Sequence, residues 1–322
     1  MTTHITSDAD LGRTEVCRWK DNKVAAFSIG GDDSLHSQLD FMIPEMLKRG
    51  FRGTFWVNAG RGTPGEHGFC WESRKAEWQA AARKGCDFGN HTMYHVGARF
   101  YEEAEYEIGE SMRTVWAANP GQRLQLFLSG GGTTWSVTRE EIDELLVKYF
   151  CVRGRGGGRG TQDPCYHGET DTSASADELI GFVDTAIAER GWHFIGCHGV
   201  GPDGEWLVTD AGPFAVLLDY LVEKQDQVWV GTHTEVHKYI LERESTVATA
   251  RAVSSDEIIL ELSAATDPLL YDFPLTLRTR VPEGWTTCTV TQKRRAAAVP
   301  VHRGMVQYEA LSDSGDVVLR PA

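Results

Sequence analysis

Gly85-Cys-Asp-Phe-Gly-Asn-His-Thr-Met-Tyr-His95 closes on two histidines four residues apart, His91 and His95. Residues at that spacing share a face when one helical turn carries them, so both imidazoles can point at a single ion. Two nitrogens do not complete a metal site. The candidate third ligand lies upstream in Asp32-Asp33, an acidic pair that follows the apolar run Val24-Ala-Ala-Phe-Ser-Ile29. Two neutral imidazoles and one carboxylate make an open site, with positions left over for water and substrate.

On either side of that stretch, apolar runs alternate with helical periodicity. Strands are expected at 23–29, 54–58, 86–89, 124–128, 150–152, 192–197 and 227–231. Helices are expected at 35–50, 73–84, 102–118, 139–149, 177–190, 212–224 and 234–244. This alternation is that of an α/β protein with a parallel sheet or barrel. Such folds keep their chemistry at the C-terminal ends of the strands, where Asp32, Asp33, His91 and His198 all fall.

Near residue 246 the pattern changes. Only β-like segments follow, at 249–253, 257–262, 275–281, 286–291, 305–310 and 317–319. The expectation is therefore a first domain over 1–246 and a small all-β, sandwich-like accessory domain over 247–322. Residues 1–22 read as a loose arm or a surface strand.

With 322 residues and 41% hydrophobic content, burying a core is no difficulty. A formal net charge of -14 argues against a nucleic-acid backbone as partner and is neutral about a sugar. No apolar run approaches the ~18 residues of a membrane span, so no membrane partner is expected. Seven cysteines are scattered without a CxxC pair, several in apolar surroundings, which suits a reducing compartment. The first residues lack a basic start and an apolar stretch. A cytoplasmic location is expected, with a secreted form trimmed of its signal as the alternative. Homo-oligomerisation stays open.

Asp32-Asp33 after a strand, then Gly50-Phe-Arg-Gly-Thr-Phe-Trp-Val57, then Gly89-Asn-His-Thr-Met-Tyr-His95 resembles, in that order, the polysaccharide deacetylases with NodB homology, carbohydrate esterase family 4. The resemblance covers 23–243. The family's second motif, His-Ser/Thr-x-x-His, is present, while its Thr-Phe-Asp-Asp-Gly stands here as Ser28-Ile-Gly-Gly-Asp-Asp-Ser34. It implies a distorted (β/α) barrel and a metal-dependent hydrolase that removes N- or O-acetyl groups from a carbohydrate. By position, Asp33, His91 and His95 would hold the metal: zinc, with cobalt, manganese or nickel as alternatives. Asp32 would be the base toward the attacking water, kept ionised by the metal's charge. His198, closing Trp192-His-Phe-Ile-Gly-Cys-His198, would protonate the leaving group.

Two departures from the family pattern carry expectations of their own. Its third motif, Arg-x-Pro-x-Gly, should fall near 126–135, which holds neither the Arg nor the Pro. Arg153 is the expected substitute for steadying the base, and Gly131 and Gly132 can offer backbone N–H groups to an oxyanion. Its Asp-x-x-Asp-Trp motif is also missing, so Trp192 is expected as the aromatic wall and Asp171 or Asp184 as the charge that orients His198.

Other motifs carry less. His233 and His237 repeat the four-residue spacing, but they open a helix without an acidic pair and read as an exposed helix start. Gly199-Val-Gly-Pro-Asp-Gly204 matches GxGxxG, yet Pro202-Asp-Gly204 is turn chemistry and not the opening of a nucleotide-binding helix. Arg153-Gly-Arg-Gly-Gly-Gly-Arg159 reads as a loop. Of the tryptophans, Trp56, Trp78 and Trp192 are core by default, while Trp71, Trp135 and Trp206 sit in loops and are placed to stack on sugars. Three rival readings stand beside the deacetylase: an amide or imide hydrolase on a small molecule, a non-catalytic carbohydrate-binding protein, and a two-His-one-carboxylate iron oxygenase.

Overall fold

The computed structural model describes residues 10–66, 68–153, 165–169, 174–201 and 206–322, with backbone alone at 165–169. The chain forms two compact units: Lys23–His237, and a second that joins Met1–Asn22 to Lys238–Ala322. Strand β1 (Thr14–Val16) belongs to the second unit. The first contains β2 (Ala25–Asp32), β3 (Thr54–Val57), β4 (Asp87–Asn90), β5 (Gln125–Phe127), β6 (Cys151–Arg153), β7 (Cys165–Glu169), β8 (Trp192–Cys197) and β9 (Val228–Val230). All of these pair in parallel, in the order β6-β5-β4-β3-β2-β8-β7, with β9 beside β2.

Helices α1 (Ile43–Lys48), α2 (Lys75–Arg83), α3 (Tyr101–Glu105), α4 (Ser111–Ala118), α5 (Arg139–Lys148), α6 (Ala176–Glu189) and α7 (Ala211–Glu223) alternate with the strands, and α8 (His233–Ser245) follows β9. This is the distorted (β/α) barrel the motif order implied. The distortion has a visible origin in β2, which shares one edge between two partners. Its residues 25–27 pair with β9 and 30–32 with β3, while β8 runs along the other edge.

Every residue of β2 and β8 is buried, as in a parallel sheet covered on both faces, which is why both read as continuous runs and not as alternations. Phe27, Ile29, Phe55, Phe88 and Leu217 pack in one core with Trp71 and Trp78. Trp71 is thus a core residue, its ring against Trp78 and Phe88, and not a loop residue facing sugar. Capping boxes at Thr138/Glu141 and Ser175/Glu178 fix where α5 and α6 begin. The expected helix at 102–118 is interrupted by a π-helical turn, Tyr106–Glu110, and the one at 35–50 opens with another, Gln38–Met42. Strand β7 was not anticipated, because Cys165-Tyr-His-Gly-Glu169 is short, polar and contains glycine; it nonetheless pairs with β8 over five residues.

The second unit adds β10 (Val247–Val253), β11 (Ile258–Ser263), β12 (Leu275–Arg280), β13 (Thr287–Gln292), β14 (Arg295–His302), β15 (Met305–Ala310) and β16 (Val317–Pro321). They form one antiparallel sheet, β1-β12-β15-β14-β13-β16-β11-β10. Alternate residues of β11 and β15 point inward, onto Leu260, Leu277, Val306 and Leu319. The early segment read as part of the first domain pairs here instead, Thr14–Val16 on β12. Strand β14 escaped the sequence pattern because its first four residues, Arg295-Ala-Ala-Ala298, are all exposed and show no alternation. Cys17, Cys70, Cys86, Cys151, Cys197 and Cys288 are buried thiols outside any disulfide, as small core residues. Among the described residues no helix is long and apolar enough to cross a membrane.

Candidate metal centre

Strand β2 ends on Asp32, and the next two residues turn sharply, Asp33 and Ser34 with φ of 73° and 50°. Non-glycine residues in this left-handed region cost backbone energy, and such strain concentrates at functional sites. Strand β4 delivers Asn90 and then His91. The segment from His91 to His95 is not the helical turn its spacing suggested: Thr92 and His95 have φ of 70° and 59°. Side chains fix this loop. Asn90 Oδ1 accepts the Thr92 N–H, Thr92 Oγ1 accepts the His95 N–H, and Asn58 Nδ2 donates to the His91 carbonyl.

The loop brings three groups together. His91 Nε2 lies 3.4 Å from Asp33 Oδ1, and His95 Nε2 lies 3.6 Å from the same oxygen. Two donors each about 2.1 Å from a tetrahedral zinc would stand about 3.4 Å apart, so the spacing fits one ion. Asp33 Oδ1 is also a buried atom that accepts no hydrogen bond, the kind of atom a cation satisfies. Among the described residues, Asp33, His91 and His95 are the group whose ligand atoms converge for a metal.

Neighbours orient the ligands. His91 Nδ1 lies 2.7 Å from the Leu128 carbonyl, which as acceptor leaves Nε2 bare for an ion. Trp206 Nε1 donates to Asp33 Oδ2 at 2.8 Å, while its ring rests on Gly68 and Phe69. Burial pushes the Asp33 carboxyl up, but the His91 and His95 imidazoles and the Trp206 N–H outweigh it and hold it at about 2. His95 is shifted down, first by burial and then by His91, which favours the neutral ring a metal needs. Its ring lies against Gly130, where an added Cβ would stand 2.7 Å away.

His198, directly after β8, places Nε2 3.9 Å from Asp33 Oδ2, the oxygen turned away from the two ligand histidines. Its side chain is 19% exposed against 3% for His91, so a substrate can reach it. Asp32 is buried at the end of β2. Gln38, in the π-helical turn, donates from one amide nitrogen to the carbonyls of both Asp32 (2.5 Å) and His198 (2.7 Å), and its oxygen accepts the Leu35 N–H.

Several expected site residues lie elsewhere. Arg153 bonds to Asp143 and to the Arg139 carbonyl, and its strand is four places from β2, roughly 19 Å along the sheet. It therefore does not replace the missing arginine. Trp192 is 1% exposed, with its N–H on Ser28 Oγ, and is core rather than a substrate wall. Asp184 accepts the Tyr220 hydroxyl at the surface, and Asp171 falls outside the described residues. Gly131 and Gly132 are exposed, and half-buried Trp135 packs on Phe127 with its N–H on Thr133. His233 and His237 are buried, not an exposed helix start.

Sequence reasoning missed Gln38, Gly130 and the role of Trp206. A polar residue opening an otherwise apolar helix face marks Gln38, and the run Gly130-Gly-Gly132 marks a close backbone approach. Nothing local singles out Trp206 as a carboxylate partner.

Fold and site together define a distorted (β/α) barrel protein with a one-carboxylate, two-imidazole candidate cation site at the C-terminal ends of its strands. It is similar in motif order to the NodB-homology deacetylases. No protein-family model matches the chain. A curated relative, gellan lyase of a Bacillus species, is 23% identical over 96% of this chain, which spans 13% of that protein's length. Solved structures with similar folds include a family 4 carbohydrate esterase from Streptomyces lividans in complex with acetate (15% identity, 65% of this chain and 93% of that one, TM-score 0.44). A peptidoglycan deacetylase from Bdellovibrio bacteriovorus (14%, 68% and 55%, TM-score 0.43) and a family 4 pseudoenzyme (16%, 70% and 72%, TM-score 0.44) are others.

Proposed function

We propose that this protein is a cation-dependent deacetylase that hydrolyses N- or O-acetyl groups on a carbohydrate, with zinc as the cation held by Asp33, His91 and His95. The observation that carries the reading is the convergence of those three side chains with Asp32 beside them and His198 on the far oxygen of Asp33. A bound divalent cation supplies Lewis acidity toward water and the acetyl carbonyl. Asp32 takes the proton of the attacking water as its oxygen bonds to the acetyl carbon. His198, as imidazolium, then gives a proton to the departing nitrogen or oxygen as its bond to that carbon breaks. Acetate and a free amine or hydroxyl are the products. The site's open side, where His198 is partly exposed, admits the acetyl group.

Acetylated chito- and xylo-oligosaccharides incubated with zinc-loaded protein should release acetate, with loss on chelation and recovery on adding zinc. Asp32→Asn should lower turnover about 10³-fold while zinc stoichiometry stays at one. Zinc bound without any acetate release sinks the proposal, and release of ammonia or carboxylate from imides in its place selects the imide hydrolase.

A further inference from the structure

The second unit holds a cleft of about 1000 Å³ that has no part in the deacetylase mechanism. Strands β14 and β15 form a hairpin around Arg303-Gly304, yet they pair only at His302 with Met305 and Val301 with Val306. Beyond that point they part. β14 stays on β13 from Arg295 to Pro300 and β15 stays on β12, so each leaves its other edge bare toward the cleft. Arg295, Ala297 and Val299 stand on one wall, and Tyr308, Ala310 and Leu311 on the other.

The two hairpin turns fix which backbone groups face the gap. A two-residue turn closes on a hydrogen-bonded pair, and bonded pairs then recur at every second residue. About Lys293-Arg294 this directs residues 295, 297 and 299 toward β13, in step with the Val301 N–H on the Thr286 carbonyl. Ala296 and Ala298 therefore present N–H and C=O outward. About Arg303-Gly304 the same rule directs Gln307 and Glu309 into the gap, in step with Leu311, whose N–H reaches across to the Gln292 side chain. Among the described residues none of these four has a ladder partner on that side. Residues 295–298 are all exposed, so a guest can reach the β14 edge.

Charge selects the guest. Lys293, Arg294 and Arg295 are exposed at the cleft, and among the described residues their side chains have no ion pair or hydrogen bond. Arg251, Arg278 and Arg320 of the same unit each meet a glutamate, and Glu309 on the far wall is already bound to Lys20. Three adjacent uncompensated cations are a local exception in a chain of net charge -14. Proline on an edge fends off pairing with a second copy, and Pro300 removes one outward N–H here. Tyr308, the ring on the wall, is buried, so the cleft offers backbone and not ring faces, which favours a peptide over a glycan.

We infer that the free edge of β14 docks an extended acidic segment of a partner protein. The segment adds a strand to the sheet, its apolar side chains entering the cleft and its carboxylates meeting Lys293, Arg294 and Arg295. Ala296 to Pro300 gives it about 14 Å of edge, the length of a five-residue strand.

Fluorescence anisotropy with the full chain and a labelled peptide, Glu-Glu-Val-Thr-Val-Thr-Val-Glu-Glu, tests this; acids at both ends serve either strand direction. A Kd of about 50 μM is expected, with a lysine-ended counterpart at least about tenfold weaker. The triple variant Lys293→Glu/Arg294→Glu/Arg295→Glu should invert that preference. Ala298→Pro removes an N–H that β13 does not use and should weaken the acidic peptide about tenfold. N-methylation of the peptide at its valines or at its threonines probes the ladder with the protein unchanged, and one of the two sets should abolish binding. No binding at about 1 mM peptide, or full binding by both methylated peptides, overturns the strand addition. Tighter binding of polygalacturonate than of the peptide makes the guest an anionic glycan and overturns the protein partner.

Discussion

The molecule contains two histidine pairs with the same spacing, and they have opposite fates. His91 and His95 meet Asp33 in an irregular loop beyond the C-terminal ends of the strands. His233 and His237 are buried at the start of α8, His233 with its ring against Trp56, Trp192 and Phe194. A second carboxylate on the same sheet, Asp87, is not among the converging ligand groups of the described residues. Asp87, facing the hydroxyls of Thr232, Thr54 and Thr234, begins β4, at the end of the sheet where barrels keep stability residues and not chemistry. Spacing alone therefore does not make a ligand pair. The loop's left-handed residues, and a carboxylate delivered to the same end of the sheet, do.

Substitution at the two pairs should break the contrast most visibly. Asp33→Ala should abolish stoichiometric zinc binding, a loss of at least about 10³-fold, because two imidazoles alone make a weak site. His233→Ala should leave zinc affinity as it is and destabilise the fold by about 3 kcal/mol, as removal of a buried ring does. Chelator competition and urea unfolding on both variants read the two effects; zinc lost with His233 would erase the distinction.

The two carboxylates should differ in sign with pH. Asp33 is held at about 2 against an ordinary 3.8, so in zinc-free protein its contribution to stability is full above about pH 4 and is lost as pH falls toward 2. Burial pushes Asp87 up to about 6, so stability is full below about pH 4 and is lost as pH rises through 6. Each swing amounts to roughly 2–3 kcal/mol. Unfolding free energies from pH 2 to 7 should lose the acid limb in Asp33→Asn and the neutral limb in Asp87→Asn. Parallel curves for the two variants would contradict the assignment.

The smallest effect tests the support under one ligand. Gly130→Ala should weaken zinc about tenfold by crowding the His95 ring, whereas Gly131→Ala, with open space around it, should not.

Much of this was legible in the chain. The buried strands expected at 192–197 and 23–29 announce themselves as continuous apolar runs, and Asp33, His91 and His95 stand in a recognisable order. What was not legible depends on contacts between distant segments. Arg153 looked available until Asp143, ten residues earlier, took it. Trp192 looked like a wall because an aromatic residue before a histidine says nothing about which side of a sheet it faces. The alanine run that opens β14 and the polar β7 carry no periodicity, so only pairing with their neighbours makes them strands.

Gln38 has a consequence for how such a site can change over evolutionary time. A single side-chain nitrogen holds the peptide carbonyls of both residues cast as proton donor and proton acceptor. That bond adds a side-chain tie to two strands, β2 and β8, that already pair residue by residue up to Gly31 and Cys197. Shortening Gln38 to Asn would remove that tie, so the alignment of Asp32 with His198 could shift by mutation at a buried position that is itself no part of the Asp33-His91-His95 group.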